Sequence, residues 1–456
     1  MIPKKDLFEK MPVPKAILKL ALPAVLGQII LVLYNMADTF FVGLSGSDAM
    51  LSAVTVCMPA FMFLSAIANL FGIGGASLIS RAMGDNQPER AKNAACFAFW
   101  GCLVLTALYS LFAYVYADGF LRLLGATDGG VHALAKGYLF CTVTLGGACT
   151  AMSALLSHLI RAEGRSFHAS VGITLGGLLN IALDPLFMFV LLPKGNEVLG
   201  AAIATSLSNV AALLYFVWVL ICKRKRSCLH FSPSFEMFRQ DVPGQVLAAG
   251  LPACLMTLFE NISFAVLDAL MAVNGIAFQA GLGVAKKVNM LAHSMVRGMA
   301  QGVLPLIGYT YASGDHKRMK KTVSMSMAVS VGLAALCTLV CLLWSRPLTA
   351  LFIPNGSQSQ ICGASFLQIL CLGAPFSACA YACISFFQAT GRGGRSFLLA
   401  ILRKGILDIP LMFILRQGDP VYGMVWATPL TDGVCCLLSL VLFFGFLKRH
   451  TNLFAQ

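Results

Sequence analysis

The chain has 456 residues, of which 58% are apolar and only 11% charged. A water-soluble domain carries about 45–50% apolar and about 25% charged residues, so most of this chain's surface must face lipid. The net charge of +14 does not mark a nucleic-acid binder, because Lys and Arg fall in short clusters between apolar runs rather than in one basic region.

Runs of about 20 apolar residues are long enough to cross a bilayer core of roughly 30 Å. Inside lipid, such runs satisfy their backbone groups as helices. In chain order the first half supplies 17–42, 51–80, 94–116, 134–160, 167–192 and 199–222. The second half supplies 246–272, 288–311, 322–344, 361–388, 396–415 and 422–447. The first run lacks a small-residue cleavage pattern and reads as a spanning helix, not a removable signal. The expected fold is an all-α polytopic membrane protein with twelve transmembrane helices.

Basic residues orient such a chain, because Lys and Arg collect on the cytoplasmic side. Alternate connections hold 23 of them on one side, including Lys223 to Arg226 and Lys317 to Lys321, against 7 on the other, with Arg297, Arg403 and Lys404 inside helices. Both termini are therefore expected in the cytoplasm, with the chain in the cell (plasma) membrane.

An ordered series of matches relates the halves. Ala21-Leu22-Pro23-Ala24 recurs as Gly250-Leu251-Pro252-Ala253, and Gly84-Asp85 as Gly314-Asp315. Arg161 to Arg165 recurs as Gln388 to Arg392, and Gly200 with Ala204-Thr205 as Gly423 with Ala427-Thr428. Six helices per half is an even number, so both halves enter from the same side, as a parallel repeat does. The expected division is an N-terminal lobe 1–222, a basic cytoplasmic linker 223–243 and a C-terminal lobe 244–456. Chains of this build are usually transporters that rock between two open states.

The 16 cysteines lie mostly inside apolar runs, with no CxxC or metal-ligand spacing, and read as small packing residues. An enzyme is not expected, since HExxH and a serine constellation are absent. Gly72-Ile73-Gly74-Gly75 has no following Lys-Ser/Thr, so it is a helix-packing stripe and not a phosphate loop.

Tyr34-Asn35-Met36-Ala37-Asp38-Thr39, Gly84-Asp85, Arg161-Ala162-Glu163-Gly164, Asn180 to Pro185 and Gln301 to Pro305 span both halves. On these motifs the chain resembles the multidrug and toxic compound extrusion (MATE) family, its DinF-like and MepA-like bacterial members in particular. The resemblance implies export of drug-like organic compounds, often cationic, against an inward flow of protons or sodium ions. It implies no cofactor besides the coupling ion. A monomer is expected, because the cavity would lie between lobes of one chain.

An ionisable group at membrane depth is costly and marks function by default. Five carboxylates stand out: Asp38, Asp184, Glu260, Asp268 and Asp408. A rise of about 1.5 Å per residue places Asp38 roughly 30 Å and Asp184 roughly 25 Å above the cytoplasmic ends of their helices, and Thr205 roughly 9 Å below the outer face. All three fall in one outer layer. Asn180, four residues before Asp184, shares its helical face, and Pro185 disrupts its own turn and can free the carbonyl of Ile181. Such an oxygen set suits a proton or a sodium ion. The resemblance points to the same four residues, Asp38, Asn180, Asp184 and Thr205, as the cation site; the plainer alternative is that Asn180 and Asp184 only bond neighbouring helices.

In the second half, Glu260 and Arg297 both sit about 21 Å deep and are candidates for substrate contact or gating. Glu260 resembles the seventh-helix glutamate of the family's NorM-like branch, which also places an aspartate in the tenth helix, where this chain has none between Pro375 and Gln388. Asp408 with Lys404 and Arg403 is expected to form a local pair or to reach toward the cytoplasmic surface. Asn35, Met36 and Phe61-Met62-Phe63 are candidate cavity lining, and His158 and His293 are candidate proton relays that are more often packing residues. A flippase for lipid-linked sugars is the nearest rival, but it would line its cavity with several cations, whereas the candidates here are mainly carboxylates.

Overall fold

Long apolar stretches with few helix breakers fold as long helices, and a computed structural model of the chain describes residues 5–44, 48–126, 128–239, 241–353 and 355–449. Among these residues the first lobe holds α1 (Val13–Leu44), α2 (Asp48–Gly84), α3 (Pro88–Val115), α4 (129–162), α5 (Ser166–Leu191) and α6 (Glu197–Cys222). The second holds α7 (Val242–Ala272), α8 (Ile276–Ala312), α9 (His316–Leu343), α10 (358–389), α11 (393–415) and α12 (Tyr422–Arg449). No strand occurs among the described residues. The expected all-α polytopic fold is the one the chain adopts.

Length and apolarity alone qualify eight described helices as membrane spans, and ten when two bent pairs are each counted as one. The remaining two are α8 and α11, the helices that carry Lys286, Lys287 and Arg297, and Arg403, Lys404 and Asp408. Charged side chains lower the hydropathy of both, and α8 also carries Asn289, His293 and Gln301.

Local chemistry sets the ends and the bends. The Asp315 side chain accepts the Arg318 amide at 2.9 Å and caps α9, and Pro88 occupies the first turn of α3, where its missing N–H costs nothing. The fourth and tenth spans, expected as single runs, are bent by 49° and 41° at Gly146 and at the Leu372–Gly373 junction. A π-helical turn, Phe140–Leu145, precedes the first bend. At Pro185 the helix passes into another π-helical turn, Leu186–Leu191, which accommodates the lost donor without ending the span. Helices α1 and α8 run unbroken through Pro23 and Pro305.

The lobes meet where α1 packs on α8 and α2 on α7. A methyl on Gly250 would run into the carbonyl of Leu70, and one on Gly302 into the backbone of Leu20 and Ala21, so these glycines permit backbone-close crossing between lobes. One buried apolar cluster joins both lobes, from Leu7, Phe8 and Ile79 to Tyr309 and Phe386. At the other end of the bundle the core splits in two. Val42 to Ala202 form one cluster inside the first lobe, and Leu267 to Ala427 form another inside the second. The lobes therefore share a core at the end bearing the basic connections and diverge at the opposite end.

The linker lies against the first lobe. Trp100 donates to the Phe231 carbonyl at 2.9 Å, and the buried Glu163 carboxylate accepts from Ser227 Oγ at 2.8 Å and from the Cys228 amide at 2.6 Å. All 16 cysteines are free thiols.

Candidate functional site

The diverging lobes enclose a cavity of about 290 Å³ lined by both halves of the chain. Its floor, toward the shared core, is polar and crosses between lobes: Gln28 donates to Gln301 at 3.1 Å, Asn69 donates to Thr257 at 2.9 Å, and Arg161 donates to Gln301 at 3.3 Å. Asn35, Phe61 and Met62 line the cavity, as does His158; Met36 and Phe63 do not. The Asn35 amide is turned back onto the Leu31 carbonyl at 2.6 Å.

At the first-lobe wall, Asn180 and Thr205 face the cavity while Asp38 and Asp184 lie buried behind them. The geometry follows from helical periodicity. Asn180 and Asp184 are one turn apart on α5, and α5 packs against both α1 and α6. Asn180 Nδ2 donates to Asp184 Oδ1 at 3.1 Å and to Thr205 Oγ1 at 3.3 Å. The Asp38 and Asp184 carboxylates are near enough to feel each other's charge, and Lys287 of α8 acts on Asp38 from the second lobe.

Asp38 Oδ1, Asn180 Oδ1 and Asp184 Oδ2 are buried and have no hydrogen-bond partner among the described residues. Buried acceptors are nearly always paired, and leaving one unpaired costs about 1–3 kcal/mol. Three such oxygens on adjoining residues form a donor set that a proton or a small hard cation satisfies. The coordination chemistry of sodium calls for the same carboxylate, amide and hydroxyl oxygens that carry Asp38, Asn180, Asp184 and Thr205.

The second lobe is built differently. Glu260 and Arg297 line the same cavity and pair at 3.3 Å, side by side on α7 and α8. Deeper in the lobe, Arg403 donates to Asp432 at 2.7 Å and to Ser377 Oγ at 2.6 Å, and its guanidinium lies 4.6 Å from the centre of the Tyr381 ring. Lys404 donates to Asp408 at 3.0 Å, and Ser263 and Thr428 donate to the same carboxylate. Arg403, Lys404, Asp408 and Asp432 are all 2% exposed or less. Of the two alternatives the sequence leaves for Lys404 and Asp408, a local pair or a reach toward the surface, the structure shows the local pair: both cations turn inward, where two carboxylates offset their desolvation.

Asp432 was not among the carboxylates the sequence brought forward, although its place inside the twelfth apolar run was signal enough. Asp268 pairs with Lys286 at the partly exposed end of its helix. His293 Nδ1 lies 3.3 Å from Ser377 Oγ, in the wall between the Glu260–Arg297 pair and the buried quartet.

Fold and cavity together define a class: a polytopic helical membrane transporter made of two repeated lobes with a binding cavity between them. The chain belongs to the MatE family, whose profile matches it twice, at residues 23–186 and 252–414, once in each lobe. It is similar to the multidrug export protein MepA of Staphylococcus saprophyticus, 27% identical over 446 residues that cover 97% of this chain and 96% of that protein. The protein of that name from Staphylococcus aureus strain MRSA252 is 27% identical over 447 residues, with the same coverage. Among solved structures, a MATE transporter crystallised with MaL6 superimposes with a TM-score of 0.89 at 25% identity, covering 99% of each chain.

Proposed function

We propose that this protein is a secondary antiporter that exports drug-like organic compounds in exchange for inward protons or sodium ions. Similarity to multidrug export proteins over nearly the whole chain supports the substrate class. The cavity is lined by apolar and aromatic side chains together with neutral amides and hydroxyls, which suits flat organic compounds. A flippase for lipid-linked pyrophosphates is less favoured, because Arg297 is tied to Glu260 and is not free to hold phosphate.

Asp38, Asn180, Asp184 and Thr205 take the coupling ion, and the observation that carries this is the trio of buried, unpartnered oxygens on the first three. Loading that set with a cation removes the repulsion between Asp38 and Asp184 and lets α1 and α5 close around it. Closure narrows the adjacent cavity and favours release of the drug. Asn35 and Met62 contact the compound from α1 and α2, and the Glu260–Arg297 pair acts as its gate on the second-lobe side. Residues 1–222 and 244–456 are the two moving lobes, 223–243 is the cytoplasmic linker, and both termini are cytoplasmic. In that orientation the cavity opens outward. One chain suffices for the cycle.

The experiment is efflux of a fluorescent organic cation from liposomes holding the purified protein. A proton gradient and a sodium gradient are imposed separately at constant membrane potential. One of the two is expected to drive efflux. If neither does, while the dye moves down its own gradient, the antiport reading fails.

A further inference from the structure

The repeat aligns the first-lobe site with the buried charges of the second lobe, residue by residue. Asp184 and Asp408 are 224 positions apart, and so are Asn180 and Lys404. Thr205 and Thr428 are 223 apart, as are Asn209 and Asp432. The contacts follow the same plan. In the first lobe, Asn180 on the fifth helix bonds Asp184 one turn on and Thr205 on the sixth. In the second, Lys404 bonds Asp408 one turn on, and Thr428 on the sixth helix of that lobe donates to the same carboxylate at 3.3 Å. The first helix of each lobe closes the site, with Asp38 from α1 and with Ser263 from α7.

The two sites differ in one respect that matters. Asp184 and Asn180 each keep a buried oxygen without a partner, whereas both oxygens of Asp408 are hydrogen-bonded. The group that completes Asp408 is the Lys404 ammonium, a compact point charge with three donors. It stands where the amide of Asn180 stands in the first lobe, and brings the positive charge that the first lobe lacks.

We propose that Lys404 is a tethered cation that permanently fills the second-lobe counterpart of the coupling site. Behind it lies a latent site for a small monovalent cation, formed by Asp408, Thr428 and Ser263. The inference rests on reading the first-lobe oxygens as a cation site. Its consequence is that coupling belongs to the first lobe alone: the second carries its counter-charge covalently and cannot exchange it. The Arg403–Asp432 pair beside it completes a neutral quartet that keeps this lobe electrically constant through the cycle.

The test is carried out in an Asp184→Asn background, so that the first-lobe site is silent whatever its role. Thermal unfolding of the purified full-length protein is followed with increasing sodium or methylammonium chloride, against choline chloride at equal ionic strength. Asp184→Asn/Lys404→Ala is expected to show a saturable rise of a few degrees in its unfolding midpoint with sodium or methylammonium. Asp184→Asn alone is expected to show none, and adding Asp408→Asn is expected to abolish the response. Lys404→Asn, which gives the second lobe the amide, carboxylate and hydroxyl that Asn180, Asp184 and Thr205 supply in the first, is the second variant. If the alanine variant does not fold, preparation in methylammonium is expected to recover it. A Lys404→Ala and a Lys404→Asn protein that both ignore these cations, or that no cation recovers, would overturn the proposal. Loss of wild-type sodium or proton binding on Asp184→Asn tests the first-lobe reading separately.

Discussion

Asn180 and Asp184, one turn apart on α5, are joined by a 3.1 Å hydrogen bond that uses Oδ1 of the carboxylate and leaves Oδ2 buried and unpartnered. The amide's second contact, to Thr205 Oγ1, ties α5 to α6. The arrangement holds α5 and α6 in register around oxygens that still lack a donor. A cation bound there binds the open oxygens and the tertiary contacts together.

Thr205→Val keeps the shape of the side chain and removes its hydroxyl. The loss of one oxygen ligand is expected to weaken the coupling ion by about tenfold, near 1.4 kcal/mol. The measurement is the ion concentration that gives half-maximal efflux. Maximal efflux at saturating ion should be little changed, because the carboxylates remain.

Glu260→Gln removes the charge that holds Arg297 at 3.3 Å. The pair faces the cavity, so water screens part of the loss, and a stability cost of about 1–2 kcal/mol is expected instead of the larger figure for a dry pair. Transport of cationic compounds should fall several-fold while that of neutral ones changes less. Efflux rates for a matched cationic and neutral substrate check this; an equal effect on both would remove Glu260 from the gate.

Gly250→Ala and Gly302→Ala each push a methyl into the backbone of the opposite lobe. Overpacking of this kind costs about 1–3 kcal/mol. Both variants should unfold at lower temperature than wild type. Gly283→Ala, where a methyl meets open space, serves as the control and should not.

Glu163→Ala frees the two linker donors, Ser227 Oγ and the Cys228 amide. Hydrogen bonds to a charged acceptor contribute about 1.5–3 kcal/mol. The linker should then detach locally, and limited trypsin digestion at the basic run 223–226 should accelerate several-fold. Unchanged digestion would show that Trp100 and the neighbouring contacts suffice.

The helices and their repeat were legible because lipid leaves few alternatives: a long apolar run must satisfy its own backbone. The Asn180–Asp184 spacing was legible because a turn of helix is a fixed length. The bends at Gly146 and Gly373 were not, since a glycine inside an apolar run reads equally as packing or as a hinge. For Lys404 the sequence leaves open whether its pair with Asp408 is buried or reaches the surface. A lysine's long stem can carry its charge toward water, and only the tertiary fold, which brings Asp408, Asp432, Ser263 and Thr428 together beside it, shows that burial is compensated. The Arg403–Asp432 pair joins two helices across 29 positions, and no local pattern announces it.

The most direct test compares wild type and Asp184→Asn in liposomes, with efflux of a fluorescent organic cation driven by the coupling gradient at constant membrane potential. Wild type should respond steeply to the gradient. The variant should lose gradient-driven efflux by at least about tenfold while still binding the dye, because the cavity wall is intact and only the ion site has lost its charge. Equal gradient-driven efflux from both proteins would contradict the account and place coupling outside the first lobe.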